Sequence, residues 1–198
     1  ELIPSGETSS YRSNPLKLAT FTLSRRDPDY VNRTAAIRGL EASRQTGAPA
    51  PELLQVLKQA GVSPDLLKYT TVASTIFANK PGDGSAREQA ASCQRVLGGG
   101  ANICYEFATK RYRSNCINWG MMPFTIDEGT PFDYAPGDYV WVPNIKTAVE
   151  NGASDVPALV ITDSGAAPIT LHLPPLTNDE RAILLSGCLM NWYATQRK

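Results

Sequence analysis

The chain has 198 residues and a mass of 21.4 kDa, the size of one domain, or of one domain with a substantial appendage. Hydrophobic residues make up 42% and charged residues 19%, which is too apolar for a disordered chain. Lys+Arg and Asp+Glu both number 19, so the formal charge is zero and a protein held mainly by nucleic-acid phosphates is excluded; no apolar run approaches the roughly 18 residues of a membrane span. The first residue is Glu1 rather than Met, which reads as a piece excised from something longer.

Residues 1–33 are rich in Ser, Pro, Arg and Asp and read as irregular structure around one apolar stretch, Leu16 to Leu23. Within them Arg25-Arg26-Asp27, Asp29 and Arg33 form a mixed-charge surface segment. From Thr34 to about Ala78 the pattern is helical in pieces. Gly47-Ala48-Pro49-Ala50-Pro51 is a linker, and Pro51 opens a short helix with Leu53, Leu54 and Leu57 on one face, stopped by Gly61. Ser63-Pro64-Asp65 starts a further turn. Thr71 to Ala78 is β-branched and uncharged and reads as a buried strand.

A strict alternation follows. A Gly-rich loop leads into a helix from Ser85 to about Leu97, ended by Gly98-Gly99-Gly100. Ala101 to Phe107 is a second strand, Thr109 to Asn118 a helix ended by Gly120, and Met121 to Ile126 a third strand. Strand, helix, strand, helix, strand at this spacing predicts a parallel α/β layer. After Pro136-Gly137, Tyr139–Val142, Ala158–Thr162 and Ile169–Leu173 are short strands, expected to be antiparallel. Thr177-Asn178-Asp179-Glu180 is a capping box for a last helix, with Leu185, Leu189 and Trp192 on its inner side.

The four cysteines, at 93, 104, 116 and 188, form no C-x-x-C pair, and His172 has no second imidazole to complete a usual zinc site. They read as buried free thiols in a reducing cytoplasm. His172 alternates with Leu171 and Leu173 as an ordinary strand histidine does. Arg111 and Arg113, beside Tyr112, read as a solvated helix face or a domain-docking surface rather than a nucleic-acid contact.

The richest stretch is Gly82-Asp83-Gly84-Ser85-Ala86-Arg87-Glu88. It follows a strand and precedes a helix whose apolar positions Ala86, Ala90, Cys93 and Leu97 recur at helical spacing. Two glycines allow a tight turn with successive N–H groups in one concavity, and the helix start adds unpaired N–H groups and partial positive charge, making a natural anion site. Arg87, in the first turn, can add a forked contact to a carboxylate. Spacing alone also fits a plain capping box, with Ser85 capping the helix and Glu88 reaching back. The loop is not a nucleotide loop: the Lys-Ser/Thr ending of a P-loop is missing and G-x-G-x-x-G is not completed.

G-D-G-S-A-R-E-Q-A-A, followed by L-G-G, R-S-N and G-M-M-P-F, resembles the swivelling C-terminal domain of the aconitase family, where G-x-G-S-S-R-(E/D)-x-A-A precedes similar downstream pieces. The opening L-I-P-S-G-E-T-S-S-Y-R resembles the family segment that brings an arginine into the active site. The resemblance covers residues 1–12 and 82–126, and implies an α/β fold: a swivelling β/β/α domain over residues 1–198 with a mixed sheet, a strand-helix-strand-helix-strand middle and a short antiparallel β region. Residues 34–70 are then a helical insertion.

Carried over position by position, the resemblance implies that Ser85 is the catalytic base, that Arg87 and Arg12 bind substrate carboxylates, and that Gly84 and Ala86 line the substrate. A serine is a very weak base in water, so such a site must hold its anion with N–H dipoles and guanidinium charge. The family's [4Fe-4S] cluster is held by other domains; Cys93, Cys104 and Cys116, separated by ten and eleven residues, lack its ligand spacing. Two departures stand out: Ala86 replaces the family's second serine, and Tyr112 replaces a histidine of R-x-H-x-x-N. The implied function is the C-terminal domain of a hydro-lyase acting on a small hydroxy-carboxylic acid, inactive alone, whose partners are cluster-binding domains of the same polypeptide. The alternatives are the free-standing small subunit of a two-chain dehydratase such as isopropylmalate isomerase, and a binding module that kept the fold and lost the chemistry. No nucleic-acid or membrane partner is expected, and the location is expected to be cytoplasmic.

Overall fold

The computed structural model describes residues 2–196; Glu1, read above as the edge of a longer chain, lies outside them. The N-terminal segment, expected to be irregular, carries a 3-10 turn (Ser9–Tyr11) and a short helix, α1 (Pro15–Ala19). Pro15 occupies a first helical position, where its missing N–H has no intrahelical role, and the Asn14 side chain accepts from Lys17 N at 3.0 Å. Three helical pieces follow: α2 (Tyr30–Gln45), α3 (Pro51–Gln59) and a 3-10 turn (Pro64–Tyr69). Leu53 and Leu57, four residues apart on α3, bury themselves against Leu67 in a small cluster of their own, and Gly61 ends the helix at φ +67°.

The middle of the chain is β1 (Ser74–Ala78), α4 (Arg87–Val96), β2 (Gly99–Cys104), α5 (Lys110–Asn118) and β3 (Met122–Thr125), with β1, β2 and β3 parallel and adjacent. Beyond it come β4 (Tyr139–Trp141), α6 (Ile145–Glu150), β5 (Asp155–Thr162), β6 (Gly165–His172), α7 (Asn178–Leu185) and α8 (Leu189–Gln196). The antiparallel strands do not form a separate region. They continue the same six-stranded mixed sheet in the order β1-β2-β3-β6-β5-β4, joined to the parallel half through the pair Thr125↔His172. The mixed α/β class read from the sequence is therefore the class observed.

Alternation along β2 divides the core. Ile103 turns toward Phe124, its register partner on β3, and toward Val156, Leu171, Ile183 and Leu184. Its neighbours Asn102 and Cys104 are buried as well, and Asn102 bonds to Gln94 of α4 and Tyr112 of α5. A second cluster joins Ile76, Leu18, Ala90, Cys93 and Leu97. Each such fully buried large side chain contributes about 1.5–3 kcal/mol.

Three expectations need correction. The helix expected from Ser85 begins at Arg87. The last helix is two helices: Gly187 at φ +87° breaks it, and a Cβ at Gly120 would lie 1.7 Å from Gly187 O, so the break is packed tightly against the α5–β3 turn. Leu185 is consequently 37% exposed, and Ile183 and Leu184 point inward in its place. Helix α6 was not expected; its six residues are too short to show a period.

Candidate active site

The loop at residues 79–86 leaves the carboxyl end of β1, where open α/β sheets place their ligands. Its floor is the start of α5. Thr109 caps that helix, accepting from Tyr112 N at 3.2 Å, and donates to Gly82 O at 3.0 Å. Gly82 has φ +94°, and a Cβ there would sit 2.4 Å from Tyr112 Cβ, so a side chain is barred by both backbone and neighbour. Glu106 N and Ala108 N donate to Asn79 O and Pro81 O at 3.2 and 2.9 Å, tying the loop to the segment after β2.

Beneath Gly82, Tyr112 is fully buried and closes a polar triangle. Its hydroxyl donates to Asn102 Oδ1 at 2.9 Å and accepts from Gln94 Nε2 at 2.8 Å, while Asn102 Nδ2 donates to Gln94 Oε1 at 3.0 Å. Burial pushes the phenol pKa well above its ordinary value, so the ring stays neutral. Tyr112 is a support under the loop and is not part of the cavity wall.

Above the loop is an open cavity of about 350 Å³ lined by Ser5, Arg12, Ser85, Ala86, Arg87, Glu88 and Gln89. Ser85, Arg87, Arg12 and Ala86, separated by up to 75 positions in sequence, thus share one cavity. Gly84 is exposed and does not line it, and its φ lies outside the left-handed region, so only Gly82 supplies the special turn. Two further wall residues, Ser5 and Glu88, bear on the chemistry. Ser5 lies within the opening motif, but nothing local in its sequence says that it meets a loop 80 residues away.

The capping box read as an alternative for Ser85 is absent. Ala86 is the N-cap and offers no side-chain acceptor, so the first N–H groups of α4 have no intrahelical partner and no cap. Ser85 Oγ instead donates to Ser5 Oγ at 3.4 Å, and Glu88 Oε1 accepts from Trp119 Nε1 at 3.0 Å. Neither Arg12 nor Arg87 forms an ion pair among the described residues, and the buried Arg87 Nε has no hydrogen-bond partner among them. A buried donor left unpaired costs on the order of 1–3 kcal/mol. Two guanidinium groups and a helix start against one carboxylate give the hollow a positive bias.

The residues present do not fit an iron–sulfur cluster. Burial pushes the Cys93 thiol up to about 11 and those of Cys104 and Cys116 up to about 12, whereas cluster ligands are thiolates. Among the described residues no three His, Cys, Asp or Glu side chains gather as a metal site. His172 lies away from the cavity, at the junction of the two sheet halves, with Nδ1 2.8 Å from Asp155 and Nε2 3.3 Å from Asp127. Arg113 pairs with Glu180 at 3.2 Å, joining α5 to α7, while Arg111 is exposed. Arg25 and Arg33 pair with Glu7 and Asp27. Among the described residues no helix is long and apolar enough to cross a membrane.

Comparison with known proteins meets this geometry at the same loop. Residues 63–129 match the family described as the aconitase C-terminal domain, a range that contains Ser85 and Arg87 but not Ser5 or Arg12. Aconitate hydratase A of Bradyrhizobium diazoefficiens is 37% identical over 76 residues, which is 37% of this chain and 8% of that enzyme, so the chain spans a small part of its relative's length. Among solved structures, 3-isopropylmalate dehydratase from Methanocaldococcus jannaschii aligns over 70% of this chain and 73% of its own, at 22% identity and a TM-score of 0.43. The resemblance first read from G-D-G-S-A-R-E is therefore met by a family match: residues 63–129 of this chain are similar to the aconitase C-terminal domain.

Proposed function

We propose that this chain is the C-terminal domain of an aconitase-family hydro-lyase acting on a small hydroxy-carboxylic acid. One observation carries the reading: Ser85, Arg12 and Arg87 face one cavity at an uncapped helix start, and no carboxylate pairs with either arginine among the described residues. The arginines grip substrate carboxylates as bidentate partners. Ser85, as the alkoxide, takes the proton from the carbon next to a carboxylate; the electron pair of that C–H bond passes into the carboxylate, whose growing charge the helix start and the guanidinium groups stabilise. Ala86 brings a methyl group where a hydroxyl would make one more substrate contact, which favours a substrate other than citrate. Departure of the hydroxyl group is assigned to no residue of this chain. A cluster for that step belongs to other domains of the same polypeptide, the partners this reading requires. Residues 34–70 are proposed as a helical insertion, a reading supported by the separate apolar cluster of Leu53, Leu57 and Leu67.

The test uses the full-length, iron-reconstituted protein and a panel of 2-hydroxy di- and tricarboxylic acids with their dehydrated counterparts. Turnover of at least one acid is expected, with kcat lowered by on the order of 10⁴ in Ser85→Ala. Equal rates in wild type and Ser85→Ala would remove the base role, and no turnover of any acid would favour a binding module.

A further inference from the structure

Ser85 and Ser5 face each other across the cavity wall, and the Ser5 hydroxyl is the side-chain partner of Ser85 among the described residues. Ser5 is also held from behind. Fully buried Thr8 donates to Pro4 O at 2.8 Å and approaches Ser5 O at 3.4 Å, Ile3 is buried in the core, and Leu23 N donates to Leu2 O at 2.9 Å. The opening segment is therefore a fixed arm that presents one hydroxyl to the loop.

A hydroxyl can both accept and donate, which neither guanidinium nor backbone N–H can do. Ser85 donates to Ser5 in the structure, but an ionised Ser85 has no proton to give and needs donors aimed at it. With Arg12 and Arg87 engaged by substrate carboxylates and no hydroxyl at Ala86, Ser5 is the neutral side-chain hydroxyl left to do so. We propose that Ser5 is the donor that holds the Ser85 oxyanion, its hydrogen turning from solvent toward Ser85 Oγ when that group ionises. This rests on the reading of Ser85 as the base. The proton of Ser85 leaves to solvent, which reaches the exposed side chain. The alkoxide then bonds to the substrate proton as the C–H bond breaks, its electron pair staying with carbon, and no bond at Ser5 is made or broken.

Ser5→Ala and Ser5→Thr in the full-length, iron-reconstituted enzyme, assayed on the best acid of the panel, test the proposal. Loss of a hydrogen bond to a charged oxygen lowers kcat on the order of tenfold in Ser5→Ala. The same loss moves the acidic limb of the kcat–pH profile upward by about one unit, because the alkoxide is then harder to form. Ser5→Thr, which keeps the hydroxyl, restores the limb. An unmoved limb in Ser5→Ala, whether kcat is unchanged or falls equally at every pH, overturns the proposal. If Ser5→Ala has no effect while Ser85→Ala is inactive, only the role of Ser5 fails; if Ser85→Ala remains active, or no panel acid turns over, the base reading fails and takes this inference with it.

Discussion

Two helix starts in this chain carry the same capping-box pattern, Ser85-x-x-Glu88 and Thr177-x-x-Glu180, and the chain folds them differently. At α7 both halves of the box form: Thr177 Oγ1 accepts from Glu180 N at 3.2 Å, and Glu180 Oε2 accepts from Thr177 N at 2.9 Å. At α4 neither forms. The helix begins two residues later, Glu88 is taken by Trp119, and Ser85 turns to Ser5. The difference lies in partners distant in sequence. A capping box is a local arrangement that any competing contact of similar strength can displace, and here Trp119 from the end of α5 and Ser5 from the opening segment displace it. One start is closed and structural; the other keeps its N–H groups and its hydroxyl open to a ligand.

Substitutions can break that contrast, and the largest effect falls at the open start. Ser85→Ala should abolish turnover of the full-length enzyme yet leave its unfolding free energy from urea titration within about 0.5 kcal/mol of wild type, since no cap is lost. A clear loss of stability would mean that Ser85 caps α4 after all. Gly82→Ala comes next, through the clash with Tyr112 and the left-handed φ, and should cost roughly 2 kcal/mol or more on the same urea scale; a neutral result would mean that the loop is not seated on Tyr112. Thr177→Ala should cost about 1 kcal/mol and leave kcat unchanged.

The thiols sharpen the picture least. Native Cys93, Cys104 and Cys116 should resist iodoacetamide at neutral pH, while half-buried Cys188 is modified first, as peptide mass mapping would report. Their native values of about 11 and about 12 lie above the ordinary 9.0. The native state keeps its advantage below pH 9 and loses it as pH climbs toward 12 and the unfolded thiols ionise first. Rapid modification of all four in native protein would contradict the packing of the core.

Much of this arrangement was legible in the letters. The alternation from Ser74 to Thr125 could be read to within a few residues because β-branched runs and glycine stops are local signals. The strand expected to reach Phe107 ends at Cys104 because Glu106 and Ala108 bond back to the loop before α4, a contact that propensity does not carry. The break at Gly187 depends on Gly120, far along the chain. The same is true of the site: Ser85, Arg87 and Arg12 were named from motifs, whereas Ser5 and the diversion of Glu88 to Trp119 exist only once distant segments meet. Tyr112, read as a departure from the family pattern, is a buried support whose meaning depends on Gln94 and Asn102.

The most direct measurement is exchange of the substrate proton with deuterated solvent, followed by NMR on the full-length, iron-reconstituted enzyme with the best acid of the panel. Wild type and Thr177→Ala should wash out the hydrogen on the carbon beside the carboxylate at comparable rates, and Ser85→Ala should leave it in place. Washout by Ser85→Ala at the wild-type rate would show that the hydroxyl at the open helix start does not take the proton.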